Sequence, residues 1–531
     1  MTRARMDEPI LNAIPHASEQ ETQLFRSHVG HISRHSGVYF AGTIFTGALG
    51  YLYKVYLARV LGAENLGLYT LGVTLIGLLG VFNTLGLPQA ALRFVARYQA
   101  AGQFKELHAL LWRGAALLLG ANILLAAILL VFGKFIAVRF YHSPELVLYL
   151  PLFAGLMLFS VISMFFGRVL AGYRDLKLRT LIVNFIGSPL NIVLAVLLIS
   201  AGMGLRGYLI AQIATSGVVC GLLVFAVWQF TPPAARLFSQ KGSSPGREIW
   251  SFSSAMLGVG FLSFLMGQVD KVALGYYRGA RETGIYSVAA VLVAYMPVVL
   301  TSINQIFAPT IADLHTRGEH AILARLFQSL TKWIVGLTLP LALVIIVFAR
   351  PLMRIFGHEF EVGWPILIIG TVGQLVNCGV GSVGNILIMS GNERRLMKVQ
   401  IAMAAFMTIG SLALVPLWGI YGAAIAAALT NIGMNVFNLL EVRKALGISP
   451  YNRSYLHLFL PTAATLALTL ALRKGAFVFR HDWLAVGVAL ALAYCVFPAV
   501  FYFVAGLDAD DQLIASALRS RMRTVFGRPG A

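Results

Sequence analysis

Along this chain, apolar residues gather into blocks of about twenty separated by short polar segments, without the alternation of a half-buried strand or the mixed faces of a soluble helix. Fourteen blocks stand out, near 36–58, 66–88, 109–132, 146–171, 180–201, 205–230, 251–274, 283–312, 331–349, 362–390, 396–418, 420–441, 456–474 and 483–505. A helix of roughly 20 residues spans the hydrocarbon of a bilayer and satisfies its own backbone hydrogen bonds where water cannot. The pattern therefore predicts an all-α integral membrane protein of about 14 transmembrane helices, the tenth block being the least regular.

Composition supports this reading, with 58% hydrophobic and 12% charged residues. The formal net charge of +20 is carried in short clusters between the blocks and not along one face. That placement argues against nucleic acid and for membrane lipids as the partner of the cations. With a cytoplasmic amino terminus, the inner segments hold 28 of the 41 Lys and Arg residues, so both termini are expected inside. The first 35 residues carry Asp7, Glu8, Glu19 and Glu21, unlike the basic start of a cleaved signal peptide, and the first block is expected in the mature protein. Cys220, Cys378 and Cys495 lie inside apolar blocks. Their spacing suits neither a disulfide framework nor a metal, so no metal or cofactor is expected.

The chain also repeats itself. Lys54, Val55, Leu57, Gly62, Ala63, Gly67 and Tyr69 reappear as Lys271, Val272, Leu274, Gly279, Ala280, Gly284 and Tyr286, an offset of 217. Gly204, Gly207, Ile210, Ala211 and Thr215 reappear as Gly419, Gly422, Ile425, Ala426 and Thr430, an offset of 215. Six helices separate the copies, so the copies run parallel and are related by an axis along the membrane normal. The expected order is a cytoplasmic segment at 1–35, an N-lobe at 36–230, a cytoplasmic linker at 231–250, a C-lobe at 251–441, two further helices at 456–505 and a cytoplasmic tail at 506–531. In that tail Ile514, Leu518, Met522 and Val525 form one stripe and Arg519, Arg521 and Arg523 lie mainly around the other face, the pattern of a helix lying on anionic lipid.

A charge inside the hydrocarbon is costly unless it meets water or a partner. Lys54, Asp270 and Lys271 are the chief cases. Two repeat-related lysines at one depth either flank a central cavity, where they repel each other until an anion such as a diphosphate binds, or snorkel outward to head groups. Asp270 either pairs with a lysine or exchanges a proton or sodium ion as a coupling site. Gln268, one turn away, is the candidate for hydrogen bonds to cargo, whereas Asn83, Asn304, Gln305, Asn377 and Asn385 suit interhelical bonds. Arg59 extends the basic track outward, and Arg168, near the inner end of the fourth helix, is placed to receive an incoming head group or to contact lipid phosphate. Gly379, Gly381 and Gly384 spell G-x-G-x-x-G but have no preceding strand. Close packing or local unwinding explains them better than a dinucleotide. No hydrolase or ATPase motif occurs, and the longest outer connections are short, so an enzyme such as a glycan polymerase is not expected.

The stretch Arg59 to Tyr69, with LeuGlyLeuPro at 85–88, AlaLeuArgPheValAla at 91–96 and GlyAlaArgGluThrGlyIleTyrSer at 279–287, resembles bacterial polysaccharide transporters of the O-antigen flippase (Wzx) type. The run from Ile355, Phe356 and Gly357 to Ser390, Gly391 and Asn392 resembles that family's second half. These transporters belong to the multidrug/oligosaccharidyl-lipid/polysaccharide exporter superfamily. The resemblance implies two six-helix lobes in a V, with alternating access carrying an undecaprenyl-diphosphate-linked oligosaccharide across the bacterial inner membrane. It also implies cavity cations, a role that Lys54 and Lys271 fit, lipopolysaccharide or other surface glycan as product, and glycan-assembly proteins such as a polymerase as partners. A lipid II flippase and a cation-coupled multidrug exporter are the alternatives within the superfamily.

Overall fold

The computed structural model describes residues 19–173, 175–236, 247–475, 481–506, 508 and 511–512, with side chains described from residue 50 onward. The tail stripe after 512 and most of the linker lie outside the described residues. Nearly all of the described chain is helical, and ten stretches are long and apolar enough to cross a membrane. Four of them, Gly50–Asn83, Lys177–Phe230, Glu248–Ala294 and Glu393–Leu446, fold back once. A continuous helix of 54 residues would reach roughly 80 Å, far beyond the ~30 Å hydrocarbon core.

The turning points are glycines. Gly62 and its repeat mate Gly279 adopt φ 78° and 79°, a left-handed region that a side chain would strain. A Cβ on Gly207 would lie 3.0 Å from the Leu198 carbonyl oxygen, and one on Gly422 2.1 Å from that of Leu414. On a continuous helix those partners would be roughly 12 Å apart, so the chain doubles back.

Fourteen long helices result among the described residues: α1 (19–61), α2 (63–83), α3 (Phe104–Phe140), α4 (Leu146–Gly172), α5 (177–203), α6 (Gly204–Phe230), α7 (247–278), α8 (280–316), α9 (His320–Val347), α10 (364–389), α11 (393–418), α12 (420–446), α13 (Phe459–Lys474) and α14 (Asp482–Val504). They form two parallel six-helix repeats plus two C-terminal helices. "N-side" below means the face on which α1 begins, and "far side" the opposite face.

Three helices are interrupted. After Asn83 the chain turns at Thr84–Gly86 before a continuation, Leu87–Ala100, with Pro88 in its first turn. α8 breaks ahead of Pro297, where the missing N–H and the ring clash end regular hydrogen bonding. α10 breaks at Gly381 (φ 73°), so the glycine triplet read as a decoy is a site of local unwinding. The nearby Ser382 hydroxyl bonds Asn304 of α8.

α14 is tied back on the N-side. Lys332 of α9, almost wholly buried, donates to Asp508 and Asp511 at 2.6 Å each, and Trp333 Nε1 donates to Asp511. Burial alone would raise the Asp508 pKa, but the Lys332 ammonium and the Ser454 hydroxyl bring it down to about 2. Burial, with the neighbouring Asp508 charge, holds Asp511 above its ordinary value despite Lys332. Removing one member of a buried ion cluster strands the others. Lys332→Met is expected to lower stability by about 3–5 kcal/mol, seen as an earlier loss of fluorescence-detected monodispersity on heating in detergent. An unchanged transition would mean that the carboxylates are hydrated.

Candidate functional site

The two lobes meet through α1, α2, α7 and α8, and the contacts come in reciprocal pairs. A Cβ on Gly67 would sit 1.8 Å from the Ala280 carbonyl oxygen, and one on Gly284 would sit 1.9 Å from that of Ala63. These four residues are two repeat-related pairs at the offset of 217, so each copy presents the same patch to the other, as an axis of two-fold symmetry requires. Small residues at these positions let the backbones touch.

Further contacts close the far side. The backbone N–H of Ala63 donates to Glu359 Oε1 at 2.7 Å, and Arg59 Nε donates to the Ile355 carbonyl at 2.8 Å. Phe140 packs on Tyr276, ring centres 4.8 Å apart. Arg59, read from the sequence as part of a basic track, is thus engaged at the far-side seam. On the N-side, Arg97 and Glu248 form an ion pair of 2.7 Å, and Arg93 lies over the Phe252 ring. These contacts join the α2 continuation to the start of α7.

Lys54 and Lys271 lie eight residues before Gly62 and Gly279 respectively, roughly 12 Å below each far-side turn. The Lys54 ammonium stands 5.8 Å from the centre of the Tyr295 ring. Tyr295 is fifteen residues below the start of α8, deeper than Lys54 itself. The Lys271 ammonium donates to the Gly267 carbonyl at 2.8 Å, one turn further down α7. Both ammonium groups therefore point toward the middle of the membrane and not outward to the far-side head groups. Both lysines are part-buried and lie at matching heights of α1 and α7.

Asp270 is the hub of the C-lobe side. One oxygen accepts the Tyr286 hydroxyl at 2.6 Å, and the other lies 3.3 Å from the Lys271 ammonium. The carboxylate is buried and opens on a cavity of about 180 Å³ lined by Tyr286, Gly370, Gln374, Ala427, Ala428 and Asn431, among others. The lining is mainly apolar, with Asp270, Tyr286, Gln374 and Asn431 as its polar groups, and a hollow of this size with those four groups admits several waters or a hydrated cation. No sequence motif pointed to Tyr286, Gln374 or Asn431. The available signal was that Tyr286 repeats Tyr69, which placed it one helix away from the charged pair.

Gln268 is half-buried and makes no hydrogen bond among the described residues, and the same holds for Arg168 on α4. The geometry does not bring Arg168 into contact with the lysines. Asn83 bonds Asn122 across two helices, the use expected of it, whereas Asn377 bonds Gln374 one turn earlier on the same helix.

Comparison with known proteins places this architecture. A family model described as "Polysaccharide biosynthesis protein" matches residues 32–315, more than half of the chain. The teichuronic acid biosynthesis protein TuaB of Bacillus subtilis is 24% identical over 51% of this chain and 55% of its own length, so the chain spans about half of that relative. Among solved structures, the lipid II flippase MurJ in an inward closed conformation superposes with a TM-score of 0.64 at 14% identity, covering 88% of this chain and 99% of MurJ. An inward-facing multidrug resistance MATE transporter of the MOP superfamily gives 0.60 at 16% identity, covering 75% and 94%. At these identities the structural likeness shows the fold.

Proposed function

The chain belongs to the polysaccharide biosynthesis protein family, and we propose that it is a flippase moving an undecaprenyl-diphosphate-linked oligosaccharide across a bacterial inner membrane by alternating access. The observation that carries this reading is the pair of repeat-related lysines, both directed toward the membrane midplane on the helices where the lobes meet. Sugars and a diphosphate cross hydrocarbon only with a polar shelter. Two ammonium groups supply it for the anionic part of the head group. A multidrug exporter of cationic compounds has no use for such a pair, and lipid II differs from the proposed cargo mainly in its sugars.

In this reading both termini are cytoplasmic, the N-side is the side of loading, and a glycan polymerase or other assembly protein receives the product. The lobes touch at the far-side seam and again on the N-side, at Arg97–Glu248 and Gly86–Ser253, so loading in this reading requires the N-side contacts to part. Asp270 is the coupling site. Its carboxylate holds Lys271 in the empty protein, and a proton or sodium ion arriving in the adjoining cavity takes over that charge, releasing Lys271 to the diphosphate. Binding of cation and cargo then reinforce each other.

The test is complementation in a bacterium that lacks its own flippase and accumulates lipid-linked glycan. The wild-type chain restores surface polysaccharide, and Asp270→Asn, which keeps the shape but removes the charge to be exchanged, is expected to lower it at least tenfold with normal amounts of protein in the membrane. Full surface polysaccharide with Asp270→Asn removes the coupling role. Failure of the wild type with several glycans removes the function.

A further inference from the structure

The two lobes differ at one repeat-related place. Tyr53 stands where the C-lobe has Asp270, and Tyr69 where it has Tyr286; on α6, Tyr208 and Gln212 stand where α12 has Ala423 and Ala427. In the C-lobe Ala427, with its neighbours Ala424 and Ala428, leaves the cavity beside Asp270 open. In the N-lobe the larger side chains fill the equivalent space with phenol and amide groups: Tyr53 hydroxyl donates to Asn191 Oδ1 at 3.3 Å, Gln212 Nε2 donates to the Tyr69 hydroxyl at 2.9 Å, and Tyr69 packs on Tyr208 with ring centres 5.0 Å apart.

None of these five side chains is charged, so the cluster is unsuited to the ion expected in the other lobe. Tyr53, Tyr69, Asn191 and Gln212 are only half-buried. The amide nitrogen of Asn191 and the amide oxygen of Gln212 have no partner among the described residues, and neither atom is sealed from solvent. Open amide donors and acceptors beside aromatic faces match a ligand that is polar at its edges and apolar on its faces. A pyranose ring has that chemistry. Tyr53 is the residue before Lys54, so the cluster lies at the same height along α1 as the cation that would hold the diphosphate.

We infer that the Tyr53–Asn191 and Tyr69–Gln212 pairs form a carbohydrate subsite in the N-lobe that reads the sugars nearest the diphosphate, while the C-lobe handles the coupling cation. This rests on the proposed lipid-linked cargo. The one fold thereby uses the same repeat position for two ligand classes.

The experiment measures binding of two probes to the full chain in nanodiscs: undecaprenyl diphosphate bare, and undecaprenyl diphosphate bearing an oligosaccharide. Wild type is expected to bind the glycosylated probe at least about tenfold more tightly, as one or two net hydrogen bonds allow. The variants Tyr69→Phe with Gln212→Met, and separately Tyr53→Phe with Asn191→Leu, are expected to lose that gain while binding the bare probe as wild type does. Retention of the gain in both variants overturns the subsite, and so does loss of both probes together, which marks a packing role. If wild type binds both probes equally, the subsite falls and the flippase reading stands. If it binds neither, the lipid-linked cargo itself is wrong.

Discussion

Replacing Lys54 and Lys271 together by alanine will reduce glycan transport by roughly 10²- to 10⁴-fold while leaving the protein folded and inserted. Hydrogen bonds to charged groups contribute about 1.5–3 kcal/mol each, and two lost from one diphosphate correspond to that factor. Folding should tolerate the change. Lys54 has a ring and no carboxylate as its partner, and Lys271 shares Asp270 with Tyr286. Each single variant should lie between wild type and the double, because one cation still holds the anion. Surface polysaccharide by immunoblot, normalised to membrane protein, reads the outcome. Normal surface glycan in the double variant would dismiss both lysines as cargo ligands.

The second large effect lies at the seam. Gly67→Ala with Gly284→Ala places two methyl groups where the facing carbonyl oxygens are 1.8 and 1.9 Å away. Backbone cannot step aside as a flexible side chain would, so the lobes must part. Overpacking costs about 1–3 kcal/mol per site, which for the pair disfavours the closed far side roughly thirtyfold or more. Transport should fall correspondingly, with the protein held open on the far side. In a background without Cys220, Cys378 and Cys495, a cysteine replacing the exposed Val60 should react faster with a membrane-impermeant maleimide in the glycine variant. Unchanged labelling would show that the seam opens and closes without that contact.

Much of the fold was legible because hydrocarbon imposes a strict rule on backbone hydrogen bonds, and the apolar blocks record it. The repeat was legible for a related reason: Gly62, Gly67, Gly279 and Gly284 are held by turns and close approaches that tolerate little else, so their identity persists across the two copies. The breaks before Leu87 and at Pro297 escaped the reading because each lies inside an apolar run whose hydropathy does not change. Gly86 and Pro297 were the local signals.

The charged residues divide in the same way. Lys54, Asp270 and Lys271 stood out as charges in apolar surroundings. Their depth could be read from the sequence, but the direction of the side chains could not, since a lysine stem reaches either way along its helix. Arg59 looked like one more cation of a track, and only the approach of the loop after α9 shows that it holds Ile355. Lys332 binds carboxylates that lie 176 and 179 residues away, a pairing that local pattern does not reveal. The cavity beside Asp270 escaped for a different reason: it exists because Ala427 and Ala428 are small, and alanine in a transmembrane helix attracts no notice.

The most direct measurement places the purified protein in sealed vesicles with a fluorescent oligosaccharide on undecaprenyl diphosphate and follows quenching by an impermeant reductant outside. The fraction of label that resists the reductant should fall well below the half expected for a static bilayer, within minutes and faster with an imposed cation gradient. The Lys54→Ala, Lys271→Ala double variant should behave as empty vesicles do. A protected fraction that stays at one half with the wild-type protein, under gradients of either proton or sodium, would contradict the account.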